Sequence, residues 1–194
     1  MRRLIALTVY TIALGAVALA QQGKPLSPAG TAAAQVGGKW EEVRGESTYV
    51  GGKWIEITYG RPIKRGRDIF SGTGEKYGKI ANPDQPVWRA GANNTTIAPG
   101  TYTMFIDLKP ANWTLIVSKM VAQKRYDPNN HNEIWGAYEY KPDKDVVRAK
   151  MTLTKNPMSI EQLTWGFTDM TDTGGKMVMM WDKDIASVPF TVGK

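Results

Sequence analysis

Arg61, Arg65 and Arg67 sit around Pro62 and Gly66, and a second group follows in which Trp88 and Arg89 precede Gly91, Asn93 and Asn94. A guanidinium presents a planar fork of donors that binds a carboxylate or phosphate through two parallel hydrogen bonds. An indole and carboxamides beside such forks are what a concave surface offers to a sugar or another small polar ligand. Arg61, Arg65, Arg67, Trp88, Arg89, Asn93 and Asn94 are therefore the candidate ligand-binding residues. A structural reading competes with this one. The same forks can hold an irregular segment together by bonding backbone carbonyls, or by pairing with Asp68 and Glu75.

Other chemistries are narrowed by what the chain contains. It has no cysteine, which excludes thiol catalysis, thiolate metal sites and a disulfide framework. His131 is the one histidine, so a histidine-rich metal site is excluded as well. It lies in the polar stretch YDPNNHNEIWG, which reads as a solvated loop. Asp127, Asn129 and Glu133 in that loop are oxygen ligands of the type calcium uses, but their spacing lacks the glycine and terminal glutamate of an EF-hand loop. Met170, Met177, Met179 and Met180 are soft donors suited to copper(I), yet Met177 and Met179 share a face with Trp181 and read as core filling. No metal and no cofactor is assigned. Glu56, Asp68 and Asp84 are conceivable acids for a hydrolase or lyase that works with carboxylates and arginine.

The elements that must position these residues alternate with period two. Ile55, Ile57 and Tyr59 oppose Glu56 and Thr58, and Trp113, Leu115 and Val117 oppose Thr114, Ile116 and Ser118. The same pattern runs through Val147, Ala149, Met151 and Leu153, through Leu163, Trp165 and Phe167, and through Met177, Met179 and Trp181. Between these runs lie turn clusters such as LKPAN, YKPDKD and DTGG, the last with adjacent glycines that permit the positive φ of tight hairpins. Ser159 to Gln162 has the form of a helix-capping box, but Leu163 onward alternates too cleanly to continue as a helix. Short strands with one polar face predict an all-β fold, a mainly antiparallel β-sandwich that buries the apolar faces of two sheets against each other.

The N-terminus carries a different message. Arg2 and Arg3 precede an apolar run over residues 4–19, and Ala18-Leu19-Ala20 forms a small-x-small site before Gln21. This is the layout of a cleaved signal peptide over residues 1–20, with an uncleaved anchor as the alternative, and it predicts an exported, periplasmic or extracellular protein. Residues 21–38 are Gly, Ala, Pro and Gln with few large apolar side chains, which predicts a flexible leader before a single domain over residues 39–194. VGGKW occurs twice, at residues 36–40 and 50–54, and reads as two strand starts after Gly-Gly turns. Of 25 basic residues, 23 remain without Arg2 and Arg3, against 18 acidic ones, and they are scattered rather than gathered into a stripe. No nucleic-acid partner is expected.

The run YGRPIKRGRDIF, followed by VWRAGANNTT, PGTYTMFIDLKPANWTLIVSK, WGAYEYKPDKDVVRAKM and MMWDKDIASVPFTV, resembles the bacterial family called domain of unknown function 2911. The resemblance implies an exported protein and assigns no activity. Relatives carry a further strand-length segment between the Asn/Thr motif and the Pro-Gly-Thr-Tyr motif, where this chain passes directly from Thr96-Ile97-Ala98 to Pro99. A missing strand would leave an open edge for a homodimer. Three functions remain open from sequence: a non-catalytic small-ligand-binding or interaction module, which the absence of a nucleophile motif favours; a carboxylate and arginine enzyme acting on a sugar or small acid; and a structural envelope protein.

Overall fold

The computed structural model describes residues 27–91, 94–97, 100–123 and 125–193. Residues 1–20, read as a signal peptide, and Asn93 lie outside them. The strands are β1 (Ala29–Val36), β2 (Lys39–Val43), β3 (Glu46–Val50), β4 (Lys53–Gly60), β5 (Asn94–Ile97), β6 (Gly100–Asp107), β7 (Thr114–Ser118), β8 (Asp145–Lys150), β9 (Thr152–Thr171) and β10 (Gly174–Thr191). Among the described residues the only helical elements are two short 3-10 turns, at Gly74–Lys76 and Pro142–Lys144.

A six-stranded antiparallel sheet runs in the order β1-β4-β5-β6-β7-β8. The long hairpin β9-β10 packs across it, and the principal core lies between the two layers, as a β-sandwich requires. In β4, Ile55, Ile57 and Tyr59 are buried and alternate with half-exposed neighbours, as the period-two pattern predicts. β6 and β7 are buried on both faces. Met104, Ile106, Leu115 and Val117 join the principal core, while Phe105 and Ile116 join a second one under the segment 119–144.

Several expectations change in detail. The leader is not structureless where it is described: Ala29–Val36 forms β1 and pairs along the whole of β4. Its small side chains contribute little burial, but a strand beside β4 satisfies its own backbone groups and lies against β9. The Asn/Thr motif Asn94–Ile97 forms β5 and pairs with β4 on one side and β6 on the other. The sheet is continuous there, and β8 is an outer strand that pairs with β7 alone. The run through Met151 is divided, because β8 ends at Lys150 and the Met151 N–H turns to donate to the Trp113 carbonyl at 2.9 Å. The capping box of Ser159 to Gln162 falls inside β9. The repeated VGGKW starts β2 and β4, with Gly37 and Gly51 at φ 73 and 72.

The hairpin β9-β10 is too long to stay flat. Register shifts on either side of Asp182, which has φ 55, bend β10 sharply. Beyond the bend the strand returns to the hairpin tip, where the Val192 N–H donates to the Thr173 carbonyl at 2.8 Å. Gly174 stands at this closure. A Cβ there would meet the Phe190 carbonyl oxygen at 2.2 Å, so close approach rather than positive φ demands the glycine.

Candidate functional site

The chain leaves β4 at Gly60 and runs beside β9. The Lys64 N–H donates to the Glu161 carbonyl at 2.6 Å, and the Leu163 N–H donates to the Pro62 carbonyl at 3.1 Å. The Arg65-Gly66 turn follows, with φ 51 and 72. Arg67 closes it by donating from Nε to the Lys64 carbonyl and from Nη2 to the Ile63 carbonyl, both at 2.8 Å. That fork holds its own loop. Arg65 is exposed, and its backbone N–H donates to Glu161 Oε2 at 3.3 Å. The Arg61 stem lies over Gly30, where a Cβ would come within 2.5 Å of Arg61 Cδ, and Arg61 Nε is buried.

Trp88 and Arg89 lie elsewhere. Trp88 exchanges two backbone hydrogen bonds with Ile106 of β6, and its ring stacks on Trp181 at 5.9 Å and 16° in the principal core. Arg89 is 8% exposed, and burial pushes its guanidinium down to about 10. Asn94 begins β5, and Asn93 lies outside the described residues. The residues expected to share one concave surface thus divide between the β9 flank, the core and the sheet. Of the conceivable acids, Glu56 is on β4, while Asp68 and Asp84 stand exposed on loops. None of the clefts described below is lined by any of the three.

The bend in β10 gathers a group that composition did not announce. Lys64 Nζ lies 2.7 Å from Asp182 Oδ1 and 3.1 Å from Ser159 Oγ, and Ser159 Oγ donates to Asp182 Oδ1 at 2.8 Å. Lys155 Nζ pairs with Asp184 at 2.6 Å. A serine beside a lysine resembles a nucleophile with its base, but the electrostatics run the other way. The hydrogen bond to Asp182 raises the Lys64 ammonium above its ordinary value, so it keeps its proton. Burial pushes the Asp182 carboxyl up, and the hydrogen bonds from Lys64 and Ser159 together outweigh this and hold it below its ordinary value. The group neutralises carboxylates at a strained corner.

The segment 119–144 leaves β7 and returns to β8 over the opposite face of the sheet. Gln123, only 5% exposed, organises it. Its Nε2 reaches the carbonyls of Asp127, Asn130 and Glu133 at 3.2, 2.8 and 3.1 Å, and its Oε1 accepts the Asp127 N–H at 2.9 Å. Backbone bonds from Gln123 to Ile134 and from Ile134 to Val121 close the base of the loop at 3.0 and 2.7 Å. At its far end the Tyr140 hydroxyl donates to Asp145 Oδ2 at 2.5 Å, and Arg148 Nη1 donates to the same oxygen at 2.7 Å. Burial first, and then the Asp145 carboxylate, push the Tyr140 phenol up to about 12.

On the outside of this scaffold three aromatic rings stay in water. Tyr126 is 59% exposed, Trp135 41% and Tyr138 59%, and the rings of Tyr126 and Trp135 lie 5.6 Å apart. All three line a cleft of about 420 Å³ together with Asp127, His131 and Glu133. A neighbouring hollow of about 750 Å³ shares Tyr126, Asp127 and Glu133 and adds Tyr102 and Arg125. The oxygen atoms considered for calcium have protein partners here: Asp127 Oδ1 accepts the Asn129 N–H at 2.9 Å, and Glu133 Oε2 accepts from Asn130 Nδ2 at 3.0 Å. Among the described residues no group of three or more His, Cys, Asp or Glu side chains is placed to hold a metal ion.

The family model described as Protein of unknown function (DUF2911) matches residues 42–190. This chain belongs to that family. The match takes in β3 to β9 whole, most of β10 and the segment 119–144, so the aromatic cleft lies within the DUF2911 region. No curated protein and no solved structure matches the chain.

Reasoning from residue types alone missed Tyr126, Trp135 and Tyr138 in this DUF2911 protein. A signal for them was present, since aromatics in a polar stretch with no alternating pattern have no sheet face on which to be buried. Their rings offer apolar faces, and the carboxylates, carboxamide and imidazole between them offer donors and acceptors. That combination is chemically suited to a ligand with an apolar face and a hydroxylated rim.

Proposed function

We propose that this DUF2911 protein is an exported bacterial binding module that takes a neutral sugar in the cleft of the segment 119–144, without catalysis. The observation that carries the reading is the exposure of Tyr126, Trp135 and Tyr138 together around one polar cleft. Large aromatics left in water around a concave, polar-lined site mark a binding surface. Among the described residues the charged side chains that line the cleft, Asp127, Glu133 and Glu139, are all acidic, which disfavours an anionic ligand. The signal-peptide layout of residues 1–20 supports export. Carboxylate catalysis has less support, because the Asp182 carboxyl is held low, the wrong direction for a general acid.

The test is saturation-transfer NMR of the purified protein against neutral gluco-, xylo-, manno- and chito-oligosaccharides. Transfer to the sugar ring protons of one class, lost in Trp135→Ala with the fold intact, is the expected result. No transfer from any class would sink the proposal.

A further inference from the structure

The interior between sheet and hairpin is filled unevenly. At one end Phe70 packs against Trp88, Trp113 and Trp181, with ring centroids 5.8, 4.5 and 6.2 Å away. At the other end β1, β4, β7, β8 and β10 converge on a cavity of about 420 Å³. Its walls include Val36, Ile55, Leu115, Val117, Met177 and Val188, each of them buried. Core residues thus border an open space as well as one another. Protein interiors leave few voids larger than a water molecule, and this volume falls in the range of small-molecule pockets. The strands here carry Val147 and Ala149 where bulkier side chains would have closed the gap.

The chemistry of the lining selects a ligand. Among the described lining residues Lys53 is the one that carries a charge, and it is exposed at the start of β4, in register with Val36. The rest of the described wall is mostly apolar, with Phe190 and Met177 among the aliphatic residues, so a hydroxylated ligand would lose water there without gaining partners. The alternation of β7 also keeps this space apart from the sugar cleft. Leu115 and Val117 face the cavity, while Ile116 faces the second core beneath the segment 119–144.

We propose that this cavity is a second binding site, for an amphiphile with one apolar chain and an anionic head, the chain lying between sheet and hairpin and the head pairing with the Lys53 ammonium. Apolar walls supply the affinity for the chain, and the Lys53 ammonium at the rim sets the orientation. The site does not depend on the sugar cleft, and either can stand without the other.

The experiment is displacement of an environment-sensitive anionic naphthalene dye from the purified protein by dodecanoate and by dodecanol. Both should displace the dye, dodecanoate more strongly. Lys53→Glu should weaken dodecanoate by about tenfold, the size of one charge-assisted contact, while leaving dodecanol nearly unchanged. Val147→Trp, at a partly exposed position on the rim, should abolish both without changing the melting temperature, and Ala149→Phe should do so from deeper in the wall. Failure of either amphiphile to displace the dye would overturn the proposal, as would undiminished binding in both filled variants. Equal losses for dodecanoate and dodecanol in Lys53→Glu would refute the anionic head.

Discussion

Lys64 Nζ lies 2.7 Å from Asp182 Oδ1, and the two residues join the turn after β4 to the bend of β10. Their side chains are 16% and 11% exposed, so water screens the pair only in part. Asp182 is held below its ordinary value and Lys64 above its own. A depressed carboxyl stabilises the fold above its unfolded value and loses that contribution as pH falls through the folded value; a raised ammonium stabilises below its unfolded value and loses it as pH rises. The pair should therefore act between about pH 4 and about pH 10.4. Melting temperature followed from pH 7 to pH 3 should fall less steeply in Asp182→Asn than in wild type. Parallel curves would contradict the assignment.

The closure of β10 on the hairpin tip predicts a narrow tolerance at Gly174. A methyl group there would meet the Phe190 carbonyl at 2.2 Å, against backbone that cannot rotate away. Gly174→Ala should cost about 1–3 kcal/mol in urea unfolding, the range for overpacking. A change within about 0.5 kcal/mol, ordinary for a surface position, would mean that the strand end is free to move.

Two tryptophans should separate core from cleft. Trp88 is 6% exposed and stacked on Trp181, so Trp88→Ala should cost about 3–5 kcal/mol. Trp135 is 41% exposed on the cleft, and Trp135→Ala should leave stability within about 0.5 kcal/mol while removing sugar binding. Urea denaturation of both variants, with binding measured on the second, checks the contrast.

Gln123, buried beneath the cleft, holds it by bonding the loop's backbone groups. Gln123→Ala would leave the Asp127 N–H and several carbonyls without their side-chain partner, which should cost about 1–3 kcal/mol. Amide hydrogen exchange should accelerate across residues 123–135 while β6 and β7 stay protected. Unchanged exchange in the loop would show that it is held by other means.

Tyr140 should titrate late. Its phenol is pushed up to about 12, so its contribution is present below about pH 10 and is lost as pH rises through that folded value. Ultraviolet absorbance titration of Tyr140→Phe should lack the late phase of wild type.

What was legible in the sequence was legible for a physical reason. Ile55, Ile57 and Tyr59 face one layer of core, so burial wrote a period-two pattern that could be read directly. β1 was not legible, because Ala and Gly in a strand supply backbone partners and close packing rather than apolar area. The site was harder. Arg67 and Trp88 drew notice by residue type, yet one fork closes a turn and the other ring fills the core, assignments that depend on contacts distant in sequence. The Lys64 and Asp182 pair spans two distant motifs, and no local spacing reports it.

The measurement that bears most directly on the proposed sugar site in this cleft is a calorimetric titration of wild type and Trp135→Ala with the oligosaccharide class that gives saturation transfer. Saturable heat in wild type and none in a folded Trp135→Ala is the expected result. Equal binding by the two proteins would place the ligand elsewhere and contradict the assignment of Tyr126, Trp135 and Tyr138 to the site.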